Sequence, residues 1–146
     1  EIKSIAREAG SRTKMAVVSN DPDIDPIGSC VGPKGGRVAN IVDELGGEKI
    51  DIIKYSDVPE EYIAAALAPS DVISVTIFDD GKSCRVIVPD SQLSLAIGKE
   101  GQNARLAAKL TGWKIDIKSQ SQAEEELQSY DADDVPEQDM QETTEE

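Results

Sequence analysis

The sequence contains no histidine among its 146 residues. This absence excludes histidine as a general acid or base, serine–histidine and cysteine–histidine nucleophile pairs, and most zinc sites. The chain also lacks a signal peptide and any apolar run near the roughly 20 residues that span a bilayer. We therefore expect a cytoplasmic protein without membrane contact that is not an enzyme and holds neither a metal nor a cofactor.

Aromatic residues and cysteines are scarce as well. Aromatic residues make up 3% of the chain, so stacking on aromatic rings cannot be the main way in which this protein binds a ligand. The two cysteines, Cys30 and Cys84, stand in apolar contexts without metal-type spacing. We expect both to be free thiols, as is usual in cytosolic proteins.

Basic residues are missing from the end of the chain. All 15 Lys and Arg residues lie at or before Lys118, whereas 11 of the 29 acidic residues follow it. The net charge is −14, of which residues 1–118 carry only −3. Residues 119–146 are also poor in apolar side chains, so they are predicted to form a disordered acidic tail. The nearly balanced remainder can still carry a local basic rim.

The remainder repeats itself once. Two Gly-x-x-Gly elements, Gly32-Pro33-Lys34-Gly35 and Gly98-Lys99-Glu100-Gly101, are 66 residues apart. Further along, a Lys-Ile-Asp-Ile string begins at Lys49 and again at Lys114, 65 residues apart. Chance is a poor explanation for two matching loops that are each followed by the same string. We therefore infer a duplicated module.

Each copy predicts the same order of elements. A hairpin of alternating apolar residues comes first, then a short helix, the Gly-x-x-Gly turn, a second helix and a strand that begins at Lys49 or Lys114. A helix from about Pro59 to Ala68, capped by Ser56 or Asp57, opens the second copy.

The predicted domains follow from this order. The first module covers residues 1–55, and the helix that would lead it is expected before Glu1, in a longer protein. The second module covers residues 56–118, and the tail covers residues 119–146.

The Gly-x-x-Gly turns have the chemistry of a loop that grips a phosphate backbone. Glycine permits a positive φ and a close approach of another backbone, and the second glycine opens a helix whose free N–H groups attract phosphate. A lysine inside each turn adds positive charge, and nearby apolar residues can contact bases. The predicted RNA-binding residues are Val31, Gly32, Pro33, Lys34, Gly35, Arg37, Ile50 and Ile52 in the first copy, and Ile97, Gly98, Lys99, Glu100, Gly101, Gln102, Asn103, Arg105, Ile115 and Lys118 in the second.

Other interpretations of these motifs are weaker. A single Gly-x-x-Gly is more often a packing turn between helices, but two copies in matching contexts favour the RNA grip of a KH module. The Rossmann and Walker patterns are absent. Residues 21–25 begin like a calcium loop, yet Pro26 stands where glycine is needed and Gly32 where a bidentate Glu is needed. We therefore predict two tandem KH modules that bind single-stranded RNA.

From about Ile2 to Lys118 the chain resembles the tandem KH region of the NusA family of bacterial transcription elongation factors. The resemblance rests on Asp25-Pro26-Ile27-Gly28 and on the runs from Gln92 to Lys99 and from Gly101 to Ala107. It implies an α+β fold of two type II (prokaryotic) KH modules, each with helices packed on a three-stranded sheet. The two modules would dock rigidly and offer one extended RNA surface.

The resemblance also implies a role in transcriptional pausing, termination and antitermination. The expected partners are nascent single-stranded RNA and, through other domains of the full-length protein, RNA polymerase; we expect a monomer. The alternative hypothesis is a protein-interaction scaffold that contacts RNA polymerase or ribosomal proteins, with incidental RNA contact.

Overall fold

The computed structural model describes residues 1–129 of the chain. Two units with the same order of strands and helices follow one another. The first consists of β1 (Ile2–Glu8), β2 (Arg12–Val17), α1 (Pro26–Val31), α2 (Gly36–Glu44) and β3 (Lys49–Lys54). The second consists of α3 (Pro59–Ala66), β4 (Ser74–Ile77), β5 (Ser83–Val88), α4 (Leu93–Ile97), α5 (Gln102–Thr111) and β6 (Lys114–Ser119). Residues 120–129 form a further helix, α6.

Each unit contains one three-stranded sheet whose strands lie in chain order. The first two strands form an antiparallel hairpin, and the third runs parallel to the middle one. A parallel neighbour needs a crossover connection, which the two helices on either side of the Gly-x-x-Gly turn provide. The predicted α+β fold, with helices on a three-stranded sheet in each module, is confirmed.

Alternation of apolar residues explains the second sheet. Cys84, Val86 and Val88 are buried on one face of β5, and the parallel register places Ile115 and Ile117 beside them on β6. Burial raises the pKa of the Cys84 thiol to about 11. Cys84 and Cys30 are both free thiols.

The two units share one core. Helix α5 packs against β1 and β2 of the first unit, and α3 packs against β3. Ala16 and Ile53 of the first sheet belong to the same buried cluster as Ile63 and Leu106 of the second unit. Burial of this apolar surface joins the units directly, without a flexible tether. No helix within residues 1–129 has the length and apolar character needed to cross a membrane.

The helices of the two units differ in how well they are covered. In α5 the apolar residues Leu106 and Leu110 are buried, with α3 packed against this helix. In α2 no residue is buried; Ile41 is 47% exposed, and Leu45, which follows the helix as its C-cap, is 39% exposed. Within residues 1–129 the first unit has no counterpart of α3.

The structure differs from the prediction of disorder over residues 119–129. Ser119 completes β6, and α6 follows at once. The Asp90 carboxylate accepts hydrogen bonds from the backbone N–H of Ser121, at 3.0 Å, and from its hydroxyl. Glu126 pairs with Arg85 at 3.0 Å. These contacts fix a polar helix whose composition alone indicated no structure. The rest of the predicted tail, residues 130–146, lies outside the described residues.

The start of α3 also differs in detail from the sequence prediction. The helix begins at Pro59 as predicted, but its N-cap residue is Val58. Ser56 does not cap the helix itself. Its hydroxyl accepts a hydrogen bond from the N–H of the N-cap residue, Val58, at 3.1 Å.

Candidate nucleic-acid interface

The two Gly-x-x-Gly turns have nearly the same backbone conformation. The first glycine has φ 78° and ψ 172° in Gly32, and φ 80° and ψ 168° in Gly98. The third residue is left-handed in both turns, with φ 54° at Lys34 and 57° at Glu100. A left-handed non-glycine residue costs of order 1–3 kcal/mol. The same strained conformation in both copies favours a binding loop over a simple packing turn.

The two glycines of each turn serve different purposes. A Cβ at Gly98 would lie 2.7 Å from the backbone nitrogen of Asn103, and a Cβ at Gly32 would lie 2.6 Å from Cγ of Arg37. The second glycine faces open space: nothing lies within 4 Å of a Cβ built on Gly35. The first glycine therefore lets the turn fold back onto the next helix, and the second leaves room for another molecule.

The helix that follows each turn begins without a side-chain cap. Neither Gly35 nor Gly101 can cap the first-turn N–H groups, and neither α2 nor α5 has an acidic residue in its first turn. The N–H groups of Gly36 and Gln102 donate back into the turns, to the carbonyls of Pro33 and Lys99. The next N–H groups of each helix and the positive end of its dipole favour an anion such as phosphate at this position. Lys34 and Lys99 are exposed beside it.

An open groove of about 570 Å³ lies beside the first turn. Its lining combines Gly28 and Ser29 of α1 with Gly32, Pro33 and Arg37, and with residues 23–25 of the preceding loop. Asp25 caps α1, because its carboxylate accepts a hydrogen bond from the Ile27 N–H at 3.1 Å. Sequence reasoning missed Asp23 and Ile24, since a loop without periodicity gives no signal of the surface that it covers. It also missed Ser29, a polar residue of the short helix α1.

Two of the predicted apolar contacts lie next to the turns. Val31 and Ile97 end α1 and α4 immediately before the loops, and Ile97 is 37% exposed. Helix α1 packs beside β3, and α4 packs beside β6. The structure thus places each helix beside the strand that carries the predicted residues, which are Ile50 and Ile52 in β3 and Ile115 in β6.

Comparison with known families agrees with this geometry. Residues 1–55 match the model of the NusA-like first KH domain, and residues 59–125 match that of the NusA-like second KH domain. This chain is a NusA-like tandem KH region. The family resemblance seen in the sequence is confirmed.

Relatives of this tandem KH region are named transcription termination/antitermination protein NusA. The Halalkalibacterium halodurans protein is 64% identical over 86% of this chain, and that of Bacillus subtilis is 65% identical over 86%. The Mycobacterium tuberculosis protein is 59% identical over 81%. The chain covers 33% to 34% of the length of these relatives. The crystal structure of APE1850 has a TM-score of 0.56 at 24% identity, covering 79% of this chain and 84% of that one, and supports the fold.

In this NusA-like region, one predicted RNA-binding residue is buried. The Asn103 side chain is 1% exposed, and its Nδ2 donates to the carbonyls of Ala96 at 2.9 Å and Leu67 at 3.1 Å. It therefore joins the start of α5 to α4 and to the end of α3. The structure gives Asn103 a role in holding the second turn, not a surface for RNA.

Two further predicted residues connect the second turn to the first KH module. Gln102 donates to the Ser11 hydroxyl at 2.7 Å. Arg105 forms a bidentate pair with Glu8, at 2.8 Å and 3.0 Å. The hydrogen bonds from Arg105 lower the pKa of the Glu8 carboxyl. Both contacts hold the second turn against the β1–β2 hairpin.

The last two basic candidates are placed differently. Arg37 stays beside the first turn, where its Nη1 donates to the Ser29 carbonyl at 2.6 Å. Lys118 neighbours Ile117, which packs toward the core, and so lies on the opposite face of the sheet. Its Nζ is 3.6 Å from Glu126 of α6. The structure does not bring Lys118 together with the second turn.

Proposed function

We propose that this NusA-like region binds single-stranded RNA through both Gly-x-x-Gly turns, as part of a factor that acts in transcriptional pausing, termination and antitermination. The observation that carries the proposal is the repeated turn. In both modules the turn has a left-handed non-glycine residue, its second glycine has space around it, and the helix that follows begins without a side-chain cap. The relatives share the name transcription termination/antitermination protein NusA, which supports a role in transcription termination and antitermination.

Each turn would hold the phosphate backbone rather than read its sequence. The N–H groups of the first turn of α2 or α5 would donate to phosphate oxygens, with Lys34 or Lys99 adding charge. The bases would then lie against the apolar residues beside the turn, Val31 in the first module and Ile97 in the second. A KH groove holds about four nucleotides in this way.

The role assigned here is binding, not catalysis, and its setting is the bacterial cytoplasm. Nascent RNA is the proposed partner of residues 1–118. Contact with RNA polymerase would come from other parts of the full-length protein, and the region itself would act as a monomer.

The test replaces the two central residues of each turn by Asp-Asp. The four substitutions are Pro33→Asp, Lys34→Asp, Lys99→Asp and Glu100→Asp. We expect this variant to lose RNA binding in a titration with labelled single-stranded RNA, while its circular dichroism and thermal unfolding stay close to those of the parent. The control is Lys54→Asp with Lys109→Asp, which reverses the charge of two exposed lysines outside the turns, as the test variant does at Lys34 and Lys99.

Unchanged affinity of the Asp-Asp variant would reject the turns as the RNA site. If that variant also lost binding to RNA polymerase while keeping RNA affinity, the alternative of a protein-interaction scaffold would replace the proposal.

A further inference from the structure

Three of the five aromatic side chains of this chain line one pocket. Tyr55, Tyr62 and Trp113 surround a cavity of about 320 Å³ where the two modules meet. The pocket lies at the C-terminal end of α5. The second Gly-x-x-Gly turn lies at the other end of this helix, about 15 Å away at 1.5 Å per residue. The pocket is therefore separate from the interface described above.

One of the three rings forms the wall of the pocket. Tyr62 is buried, and its hydroxyl donates to the Leu110 carbonyl at 3.3 Å. Tyr55 meets it edge to face, with ring centroids 5.0 Å apart. Tyr55 and Trp113 are only partly buried, so these two rings can still contact a ligand.

Each of the two accessible rings has a lysine over its face. The Lys82 ammonium lies 5.1 Å from the centroid of Trp113, and that of Lys3 lies 5.6 Å from the centroid of Tyr55. Both lysines are exposed, where such a contact is worth about 0.5–1 kcal/mol. A flat π system that stacks on the ring can therefore displace the ammonium at small cost.

The first module has other residues at the positions of Trp113 and Lys82. The position of Trp113 in the repeat is taken in the first module by Glu48, which is buried and accepts hydrogen bonds from Arg7 at 2.8 Å and from the Gly10 N–H at 2.9 Å. By the strand registers, Lys82 corresponds to Ser11. The same architecture is thus built without the indole or the lysine, and both are particular to the second module.

A second cavity, of about 270 Å³, adjoins the aromatic pocket through Lys82, which lines both. Lys114 lines it as well, next in sequence to Trp113. Within residues 1–129 neither lysine forms an ion pair. The Asp80 carboxylate of this cavity accepts a hydrogen bond from Ser83 at 2.5 Å. Two unpaired lysines beside an aromatic pocket match a phosphate next to a base.

We infer that the two cavities together bind one nucleotide, with its base stacked on Trp113 and Tyr55 and its phosphate held by Lys82 and Lys114. The inference rests on the proposed function, because single-stranded RNA is the polymer that would supply this nucleotide. Base–aromatic stacking tolerates any sequence, since every base has a π face. The site would thus hold a strand outside the two Gly-x-x-Gly grooves.

Trp113 is the only tryptophan of the chain, so its fluorescence reports this pocket directly. The whole chain is titrated with adenosine monophosphate and, separately, with a six-residue oligoadenylate. We expect saturable quenching by the oligoadenylate. Tyr55→Ala should weaken it about 5- to 150-fold, the range of one stacked base, whereas Tyr55→Phe should retain it. Lys82→Ala with Lys114→Ala should also weaken it. Lys109→Ala should not, because Lys109 is an exposed lysine of α5 that lines neither cavity.

The Asp-Asp variant of both Gly-x-x-Gly turns separates this site from the proposed function. We expect it to keep the oligoadenylate quenching after its affinity for long RNA is lost. Quenching that disappears in this variant, or that is indifferent to the Lys82 and Lys114 substitutions, would overturn the inference. Quenching by adenosine monophosphate alone would keep the nucleotide site but reject RNA as its source. No quenching by either probe would reject the site altogether.

Discussion

At the scale of single residues, the two glycines of a turn differ in what a side chain would meet. Gly98→Ala combines a positive φ with a Cβ 2.7 Å from the backbone nitrogen of Asn103. Gly101→Ala carries the positive φ alone, because the nearest atom to its Cβ is 3.9 Å away on the flexible Arg105 side chain. Gly101, with φ 75° and ψ 13°, is left-handed, which costs alanine about 1–2 kcal/mol. Gly98, with φ 80° and ψ 168°, lies in a region that is essentially restricted to glycine, so its backbone and the close approach to Asn103 both add to the cost.

We expect Gly98→Ala to lower the free energy of unfolding by more than about 2 kcal/mol and Gly101→Ala by about 1–2 kcal/mol. Urea unfolding followed by Trp113 fluorescence measures both. Equal losses in the two variants would show that neither the backbone conformation of Gly98 nor its close approach to Asn103 explains the first glycine.

Glu48 is a buried carboxyl whose titration is linked to stability. Hydrogen bonds from Arg7, Thr13 and the Gly10 N–H lower the pKa of this buried carboxyl to about 2, against about 4.3 in an unfolded chain. The carboxylate is therefore favoured by folding. Its contribution is fully present above the unfolded pKa and is lost as the pH falls toward the folded pKa.

We expect Glu48→Gln to be less stable than the parent at pH 6 and the gap between them to narrow between about pH 4.5 and pH 2. Urea midpoints of both chains at several pH values in this range measure the gap. Glu8 and Asp90, whose pKa values are also lowered, contribute acid sensitivity to both chains and cancel in the comparison. A gap independent of pH would contradict the assignment to Glu48.

At the scale of elements, strict patterns were predictable and contacts between distant segments were not. The alternation of Cys84, Val86 and Val88 and the two Gly-x-x-Gly strings predicted the strands and turns, because these signals are local. A polar residue near a helix start is usually exposed, so nothing in the sequence indicated that Asn103 is buried. It is buried because α3 and α4 close over it. The acidic composition likewise gave no indication of α6, because the residues that hold this helix, Arg85 and Asp90, lie much earlier in the chain.

In the second module, α6 covers one face of the sheet. In the first module, the equivalent face packs against the second module. Lys14 pairs with Asp51 at 2.9 Å on the first sheet, and Arg85 pairs with Asp116 at 3.0 Å at the equivalent positions of the second. The Lys14 ammonium is fully buried there and also donates to the Ala68 carbonyl of the second module, at 2.7 Å. Arg85 meets Glu126 of α6 instead.

We expect a chain that ends at Ser119 to remain folded and to lose about 1 kcal/mol of stability relative to one that ends at Ser129, because the contacts of α6 are exposed ion pairs and hydrogen bonds. Thermal unfolding of the two chains measures this difference. A cooperative loss of the second module would show that α6 is a necessary part of its sheet.

The chain that ends at Ser129, compared with the parent, tests the charge of the tail. Residues 130–146 carry eight acidic residues and no basic residue. Their removal should modestly tighten RNA binding at low salt, and the effect should fade near 0.1 M salt, where the Debye length is about 10 Å. The chain that ends at Ser129 isolates this effect from the loss of α6. Identical affinity of this chain and the parent at low salt would leave the tail without a role in binding.

At the scale of the whole molecule, the docking of the modules fixes the separation of their grooves. The shared core, the Arg105–Glu8 pair and the Gln102–Ser11 hydrogen bond all cross from one module to the other. The connection from Tyr55 to Val58 leads directly into α3, which is packed against both modules. Two grooves held in this way can bind one strand without the entropy cost of a flexible tether.

This rigid docking should make RNA affinity depend on RNA length. One groove holds about four nucleotides, so an RNA of that length can occupy only one groove at a time. The parent and a single-turn variant should therefore bind it with similar affinity per groove, although the parent has two grooves. A longer RNA that spans both grooves should bind the parent more tightly by a factor of about 10²–10⁴, because its second contact is intramolecular. The two single-turn variants are Pro33→Asp with Lys34→Asp, and Lys99→Asp with Glu100→Asp.

Titrations of all three chains across RNAs of increasing length measure the coupling, and their salt dependence provides an independent check. Each additional phosphate contact on a single strand steepens the slope of log K against log salt by about 0.7. The parent should therefore show a steeper slope than either variant on long RNA and a similar slope on short RNA. If each single-turn variant kept the parent's affinity and slope on long RNA, the two modules would bind independently, and the rigid docking would serve stability rather than recognition of a continuous strand.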